Sequence, residues 1–215
     1  MVKKVNTYGQ THCDSARADD TFVSFGDPEK QVEKPELLLH SCCGPCSTAV
    51  IERLAPDYNI TVFYYNPCIT DKDEYELRKE NQIKFIDAFN QKNDAKIGFI
   101  EGEYEPDEFY KLTTGFSNEP EGGARCPICF KMRLAKTAMT AKHIGIGLFA
   151  TTLTVSPHKN YPLISAIGFE VANENGVEFL DMDFKKRAGF QRSIELSREY
   201  KLYRQDYCGC QYSKR

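Results

Sequence analysis

Residues 36–46 read Glu36-Leu37-Leu38-Leu39-His40-Ser41-Cys42-Cys43-Gly44-Pro45-Cys46: a short apolar run broken by a turn of glycine, proline and three cysteines. The run has the length of a buried strand, and the residues that follow it, 47–54, have helical character. Strand, loop and helix then recur. Residues 60–65 are rich in strand formers, and 71–90 place Tyr75, Ile83, Ile86 and Phe89 at helical spacing. Further strands are predicted over 96–100, 148–153 and 177–180, and further helices over 106–111, 129–143 and 161–173. Alternating strands and helices imply an α/β fold, a parallel sheet with helices on both faces. The sequence shows no internal repeat and no linker that would divide the core. Residues 36–215 are therefore expected to form a single α/β catalytic domain, and the polar residues 1–35 a flexible amino-terminal extension. In such folds ligands gather outside the carboxyl ends of the strands. That rule collects the loops 41–46, 66–70 and 154–160, and it puts Cys42, Cys43 and Cys46 where an active site is expected.

Seven of the nine cysteines fall in three groups: Cys42-Cys43-Gly44-Pro45-Cys46, Cys126-Pro127-Ile128-Cys129 and Cys208-Gly209-Cys210. Thiolates at these spacings bind soft metal, as zinc or an iron–sulfur cluster. A disulfide framework is disfavoured, because a chain of 24.5 kDa that is 41% hydrophobic can build an ordinary core. No signal-peptide pattern opens the chain and no stretch is apolar enough to span a bilayer, so the expectation is a cytoplasmic protein with no membrane partner. A helix after Cys46 would aim the positive end of its dipole at a thiolate or anionic cluster. Pro127 is expected to stiffen a ligand loop before the next helix, with Arg125 offsetting cluster charge. The two paired-cysteine motifs alone favour a structural zinc. Cys208 and Cys210 would close a small, easily reduced disulfide ring suited to redox work, or ligate metal, and the motif leaves both open. His40 reads as a packed, hydrogen-bonded residue, and His158 as a capping, substrate-positioning or acid–base residue. The neighbours His12 and Cys13 read as incidental.

The formal net charge is −3, which neither implies nor excludes a nucleic-acid partner. Between residues 184 and 204, however, Lys185, Lys186, Arg187, Arg192, Arg198, Lys201 and Arg204 face only Glu195 and Glu199. A solvated helix face is the ordinary explanation of such a run, and contact with phosphates the functional one.

Five ordered motifs point further. Leu-Leu-His-Ser-Cys-Cys-Gly-Pro-Cys at 38–46, Tyr-Tyr-Asn-Pro at 64–67, Arg-Cys-Pro-Ile-Cys at 125–129 followed by Arg133-Leu134, Thr-Thr-Leu-Thr-Val-Ser-Pro at 151–157 and Tyr-Arg-Gln-Asp-Tyr-Cys-Gly-Cys at 203–210 together resemble the cobalamin-independent epoxyqueuosine reductases. The resemblance covers residues 36–213. It implies an adenine-nucleotide-hydrolase-like (HUP-type) fold and an iron–sulfur oxidoreductase that performs the last step of queuosine biosynthesis. That step is the two-electron removal of the epoxide oxygen from epoxyqueuosine in the anticodon of a transfer RNA, with electrons from an unidentified donor. The resemblance further implies a [4Fe–4S] cluster on Cys42, Cys43, Cys126 and Cys129, and a redox-active pair of Cys208 and Cys210. It also supports a mononuclear iron, for which Cys46 and Cys210 are the candidates. Tyr207, Asp206 and His158 are candidate proton donors, and Lys185, Lys186, Arg187 and Arg192 candidate RNA contacts. Cys68 departs from the family pattern, which usually carries asparagine there. The alternative reading is a structural-zinc RNA-binding module without redox chemistry. A third, an ATP-dependent tRNA thiolation enzyme, lacks the glycine- and serine-rich phosphate loop it would need.

Overall fold

The computed structural model describes residues 33–213. Most of the expected extension, with His12 and Cys13, lies outside the described residues. Five strands form one parallel sheet: β1 (Glu36–Ser41), β2 (Asn59–Tyr64), β3 (Gly98–Glu101), β4 (Leu148–Thr151) and β5 (Glu178–Phe179). Their spatial order is β3-β2-β1-β4-β5, so the chain first winds outward from β1 in one direction and then returns to build the other. The topological switch point lies between β1 and β4, where a ligand crevice is expected.

Period-two alternation along β1 explains why both faces are covered. Leu37 and Leu39 join Val50, Ile51, Phe85, Phe89 and Phe184 on one side, beneath α1 (Gly44–Leu54), α2 (Lys72–Asn93) and α6 (Gly189–Glu199). Leu38 joins Phe130, Leu134, Ala138, Phe149 and Ile164 on the other, beneath α4 (Arg125–His143) and α5 (Tyr161–Asn175). The short α3 (Pro106–Leu112) contributes Phe109 to a third cluster around Tyr64, Tyr75, Cys68, Cys129 and Cys210.

Three boundaries differ from the sequence reading. Helix α4 starts at Arg125 rather than at residue 129, because Pro127 falls in its first turn, where an amide has no partner within the helix. Cys126 and Cys129 are therefore helix residues, one turn apart, and not loop ligands. Strand β4 stops at Thr151, whose side-chain oxygen accepts a hydrogen bond from the Leu153 amide at 3.2 Å and starts a 3-10 turn over Thr152–Val155. In the basic segment, residues 185–187 form a turn before α6 rather than a helix, and Arg187 and Ala188 carry φ of 55° and 57°. No helix among the described residues is long and apolar enough to cross a membrane.

Candidate active site

The first cysteine group sits at the turn from β1 into α1. Cys43 is the extended residue that caps α1, and Gly44 is required behind it: a Cβ there would lie 2.7 Å from the Asn81 carbonyl oxygen on α2. Gln82 ties the same turn down. It accepts from Ser41 Oγ at 2.6 Å and donates to Ser47 Oγ at 2.9 Å. The result is a compact group in which the sulfurs of Cys42, Cys43 and Cys46 all lie within 4.8 Å of one another. Hydrogen bonds from Cys43 and Cys46, helped by Lys159 and Arg133, hold the Cys42 pKa well below its ordinary value, while burial pushes Cys43 up to about 12. The amino terminus of α1 favours the same charge.

The second and third groups meet beside the first. Cys42 and Cys46 line a cleft of about 200 Å³ together with Arg133, Lys159 and Cys208, and His158, Asp206 and Tyr207 lie along its wall. A smaller cavity next to it is bounded by Cys126, Cys129, Arg133, Cys208 and Cys210. Cys208 and Arg133 thus face both spaces. Cys46 and Cys210, the pair expected to share a second iron, line different cavities. All eight cysteines among the described residues are free thiols.

Further residues organise the site, and one of them, Arg78, carries no mark in the sequence. Arg78 on α2 is 1% exposed and ion-paired with Glu74 at 2.6 Å. Its two terminal nitrogens donate to the carbonyls of Tyr207 and Cys208, each at 3.2 Å, so it clamps the carboxyl-terminal cysteine loop. Gly209 completes that loop with φ of 104°, and a Cβ there would meet Ile69 at 2.7 Å. Lys159 approaches Cys208 Sγ at 3.7 Å and its own carbonyl accepts from Lys185 Nζ at 3.1 Å. Burial works against the charges of Arg133 and Lys159, but Cys129 beside the first and Cys208 beside the second raise both above their ordinary pKa. Cys68 is buried against Cys129, whose hydrogen bond lowers the Cys68 pKa to about 6.

Other expectations fall differently. Arg125 donates to the carbonyls of Phe116 at 2.8 Å and Glu119 at 2.7 Å, so it pins the preceding loop, and it also lines the cavity that holds Cys126, Cys129 and Cys210. Of the four basic candidates for RNA contact, Lys186 and Arg187 are exposed. Lys185 is half-buried against Lys159, and Arg192 is held in a two-pronged ion pair with Glu52 at 2.7 and 2.8 Å.

A parallel α/β sheet with thiols from the first strand turn and the chain's end converging at its switch point defines a thiol-dependent α/β enzyme, equipped for metal or redox chemistry. Comparison with known proteins makes the class specific. The family model described as epoxyqueuosine reductase QueH matches residues 37–215. The epoxyqueuosine reductase QueH of Staphylococcus epidermidis is 44% identical over 187 residues, covering 86% of this chain and 79% of that protein. That of Streptococcus pyogenes is 43% identical over 185 residues, covering 86% and 72%, and that of Thermotoga maritima 35% over 180 residues, covering 82% and 89%. The chain belongs to the epoxyqueuosine reductase QueH family.

Proposed function

We propose that the cleft at the β1/β4 switch point is where this chain reduces epoxyqueuosine to queuosine within a transfer RNA, the last step of queuosine biosynthesis. The observation that carries the reading is the convergence of Cys42 and Cys46 with Cys208 on one cleft, in a chain of this family. In the reaction both carbon–oxygen bonds of the epoxide break, a carbon–carbon double bond forms, and the oxygen leaves as water. Two electrons and two protons are consumed.

The residues suit a [4Fe–4S] cluster. The close group at Cys42, Cys43 and Cys46 is all thiol, and soft donors of this kind select iron–sulfur clusters or zinc over harder ions. On this reading Cys42, Cys43, Cys126 and Cys129 hold the cluster, and Cys208 and Cys210 form a redox-active pair. Cys46 and Cys210 are the candidates for a mononuclear iron beside the cluster. A bound cluster supplies electrons one at a time. The chain's own residues do the rest: Arg78 fixes the cysteine loop, Lys159 stands by the Cys208 sulfur, and Tyr207, Asp206 and His158 border the cleft as carriers of protons. Lys186 and Arg187, exposed on the turn before α6, are offered to RNA phosphates. Action on transfer RNA also fits a cytoplasmic location.

The test is deoxygenation itself. Anaerobically reconstituted protein, given dithionite and tRNA bearing epoxyqueuosine, is expected to yield a nucleoside lighter by one oxygen. A zinc-only RNA-binding module would leave the nucleoside unchanged and would show no visible absorption from iron.

A further inference from the structure

Arg133 is a charged residue to which the reading above gives no task. It lies in the third turn of α4 and is 1% exposed, its guanidinium 5.7 Å from the centre of the Phe130 ring. Its Nε donates to the Cys129 carbonyl at 3.3 Å. Its Nη2 is buried and has no hydrogen-bond partner among the described residues. Arg133 nevertheless borders the main cleft beside Cys42 and Cys46, and Lys159 reaches that cleft from the loop after β4. Holding a charged side chain out of water is costly, so a protein that keeps one on a cleft wall gains when a ligand in the cleft shares its charge. Two fixed cations facing one cleft suit an oxygen on which negative charge develops, because donors already in place need no reorganisation when the bond breaks.

We infer that Arg133 is a substrate-binding donor whose guanidinium hydrogen-bonds the epoxide oxygen and stabilises the charge it gains as its carbon–oxygen bonds break, with Lys159 as the second cation of the same subsite. The inference rests on the reading that this cleft receives epoxyqueuosine, and it adds the residue that recognises the oxygen to be removed. Arginine keeps its protons in proteins, so Arg133 contributes a hydrogen bond and neither proton of the water formed. Those two protons come from solvent through other cleft groups, and the two electrons from the reductant. The competing role for Arg133 is to offset the charge of the thiolates and whatever they bind.

The two roles separate in Arg133→Met and Arg133→Lys, prepared as the full chain and reconstituted anaerobically. The affinity of each for tRNA bearing epoxyqueuosine is compared with its affinity for the same tRNA bearing queuosine, alongside kcat with dithionite, iron content and midpoint potential. Wild type is expected to bind the epoxide form more tightly, Arg133→Met to bind both forms alike, and kcat to fall on the order of 100-fold, the usual effect of losing one such donor. Iron content should stay put, while the midpoint potential should fall in Arg133→Met, which removes a cation beside Cys42, and hold in Arg133→Lys. Arg133→Lys, which keeps the charge but not the fork of donors, should lose part of the discrimination, and it carries the same comparison if the methionine variant does not fold. Discrimination that survives in both variants overturns the inference, and a shifted midpoint potential in that event assigns Arg133 to charge offset. A wild type that binds the RNA but leaves epoxyqueuosine unreduced overturns the functional reading and this inference together.

Discussion

His40 is the next-to-last residue of β1, two before the first of the clustered cysteines, and both of its ring nitrogens are engaged. Nε2 lies 3.1 Å from the Tyr65 carbonyl, which can only accept, so that nitrogen carries the proton; Nδ1 then accepts from Thr151 Oγ1 at 2.9 Å. Burial, and secondarily the charge of Arg133, hold its pKa down to about 3 from 6.5. Because the unfolded chain binds this proton more readily than the folded one, stability is fully present above pH 6.5 and is lost as pH falls toward 3. The limiting loss is on the order of 5 kcal/mol. Denaturant unfolding between pH 7 and 4 should therefore show a steeper decline in wild type than in His40→Asn, whose side chain does not titrate. Equal slopes would mean that His40 accepts a proton without penalty. Arg78 presents the opposite case, a charge that must stay. Arg78→Met strips Glu74 of its ion partner and leaves the carbonyls of Tyr207 and Cys208 without a donor. A loss of about 3 kcal/mol is expected in thermal or denaturant unfolding, together with faster alkylation of Cys208 as its loop loosens.

Among the elements, the turn from β1 into α1 sets the first three sulfurs, and Gly44 is its narrowest point. The Cβ of Gly44→Ala would press on the Asn81 carbonyl, which is helix backbone and cannot swing aside. Separating α1 from α2 to relieve it should cost roughly 1–3 kcal/mol and reduce the iron retained after reconstitution. Unchanged stability and iron content would show that the two helices tolerate a wider spacing. The strands and long helices near this turn were legible in the sequence because β1 carries three leucines in a row, β2 is rich in strand formers, and Tyr75, Ile86 and Phe89 recur at helical spacing and are buried; Ile83, read with them, is exposed. The start of α4 was not. Pro127 reads as a breaker, yet a proline inside the first turn of a helix and one just before it look alike until the neighbouring turn is known. The end of β4 was hidden for a similar reason, since Thr151 is a good strand former whose hydroxyl is taken by the amide two residues on. The cysteines announced the site through their spacing. Arg78 did not, because a buried arginine on a polar helix has the same local signature as a solvated one, and only tertiary packing separates them.

For the whole molecule, the question is how a cleft lined by thiols meets a polyanion many times its size. The charge run at 184–204 carries five more positive than negative residues, but not all are available. Arg192 is committed to Glu52 and Lys185 to the loop that bears Lys159, whereas Lys186 and Arg187 are exposed. Replacing Lys186 and Arg187 together with Gln should weaken tRNA binding and flatten the dependence of log K on log salt by about 0.7–0.9 for each phosphate no longer neutralised. Arg192→Gln should leave that slope near its original value. A titration across several potassium chloride concentrations reads both, and an unaltered slope in the double variant would move the RNA surface away from this turn.

If chemistry resides in the switch-point thiols and RNA recognition in the basic turn before α6, one substitution should separate the two. Cys42→Ser is that substitution, because Cys42 lines the cleft and not the exposed basic turn before α6. Wild type and Cys42→Ser would each be incubated anaerobically with dithionite and tRNA bearing epoxyqueuosine, after which the nucleosides are weighed by mass spectrometry and the tRNA affinity of each protein is measured. Wild type is expected to remove one oxygen, and Cys42→Ser to bind the tRNA equally well while leaving the epoxide intact. Full conversion to queuosine by Cys42→Ser would contradict the account.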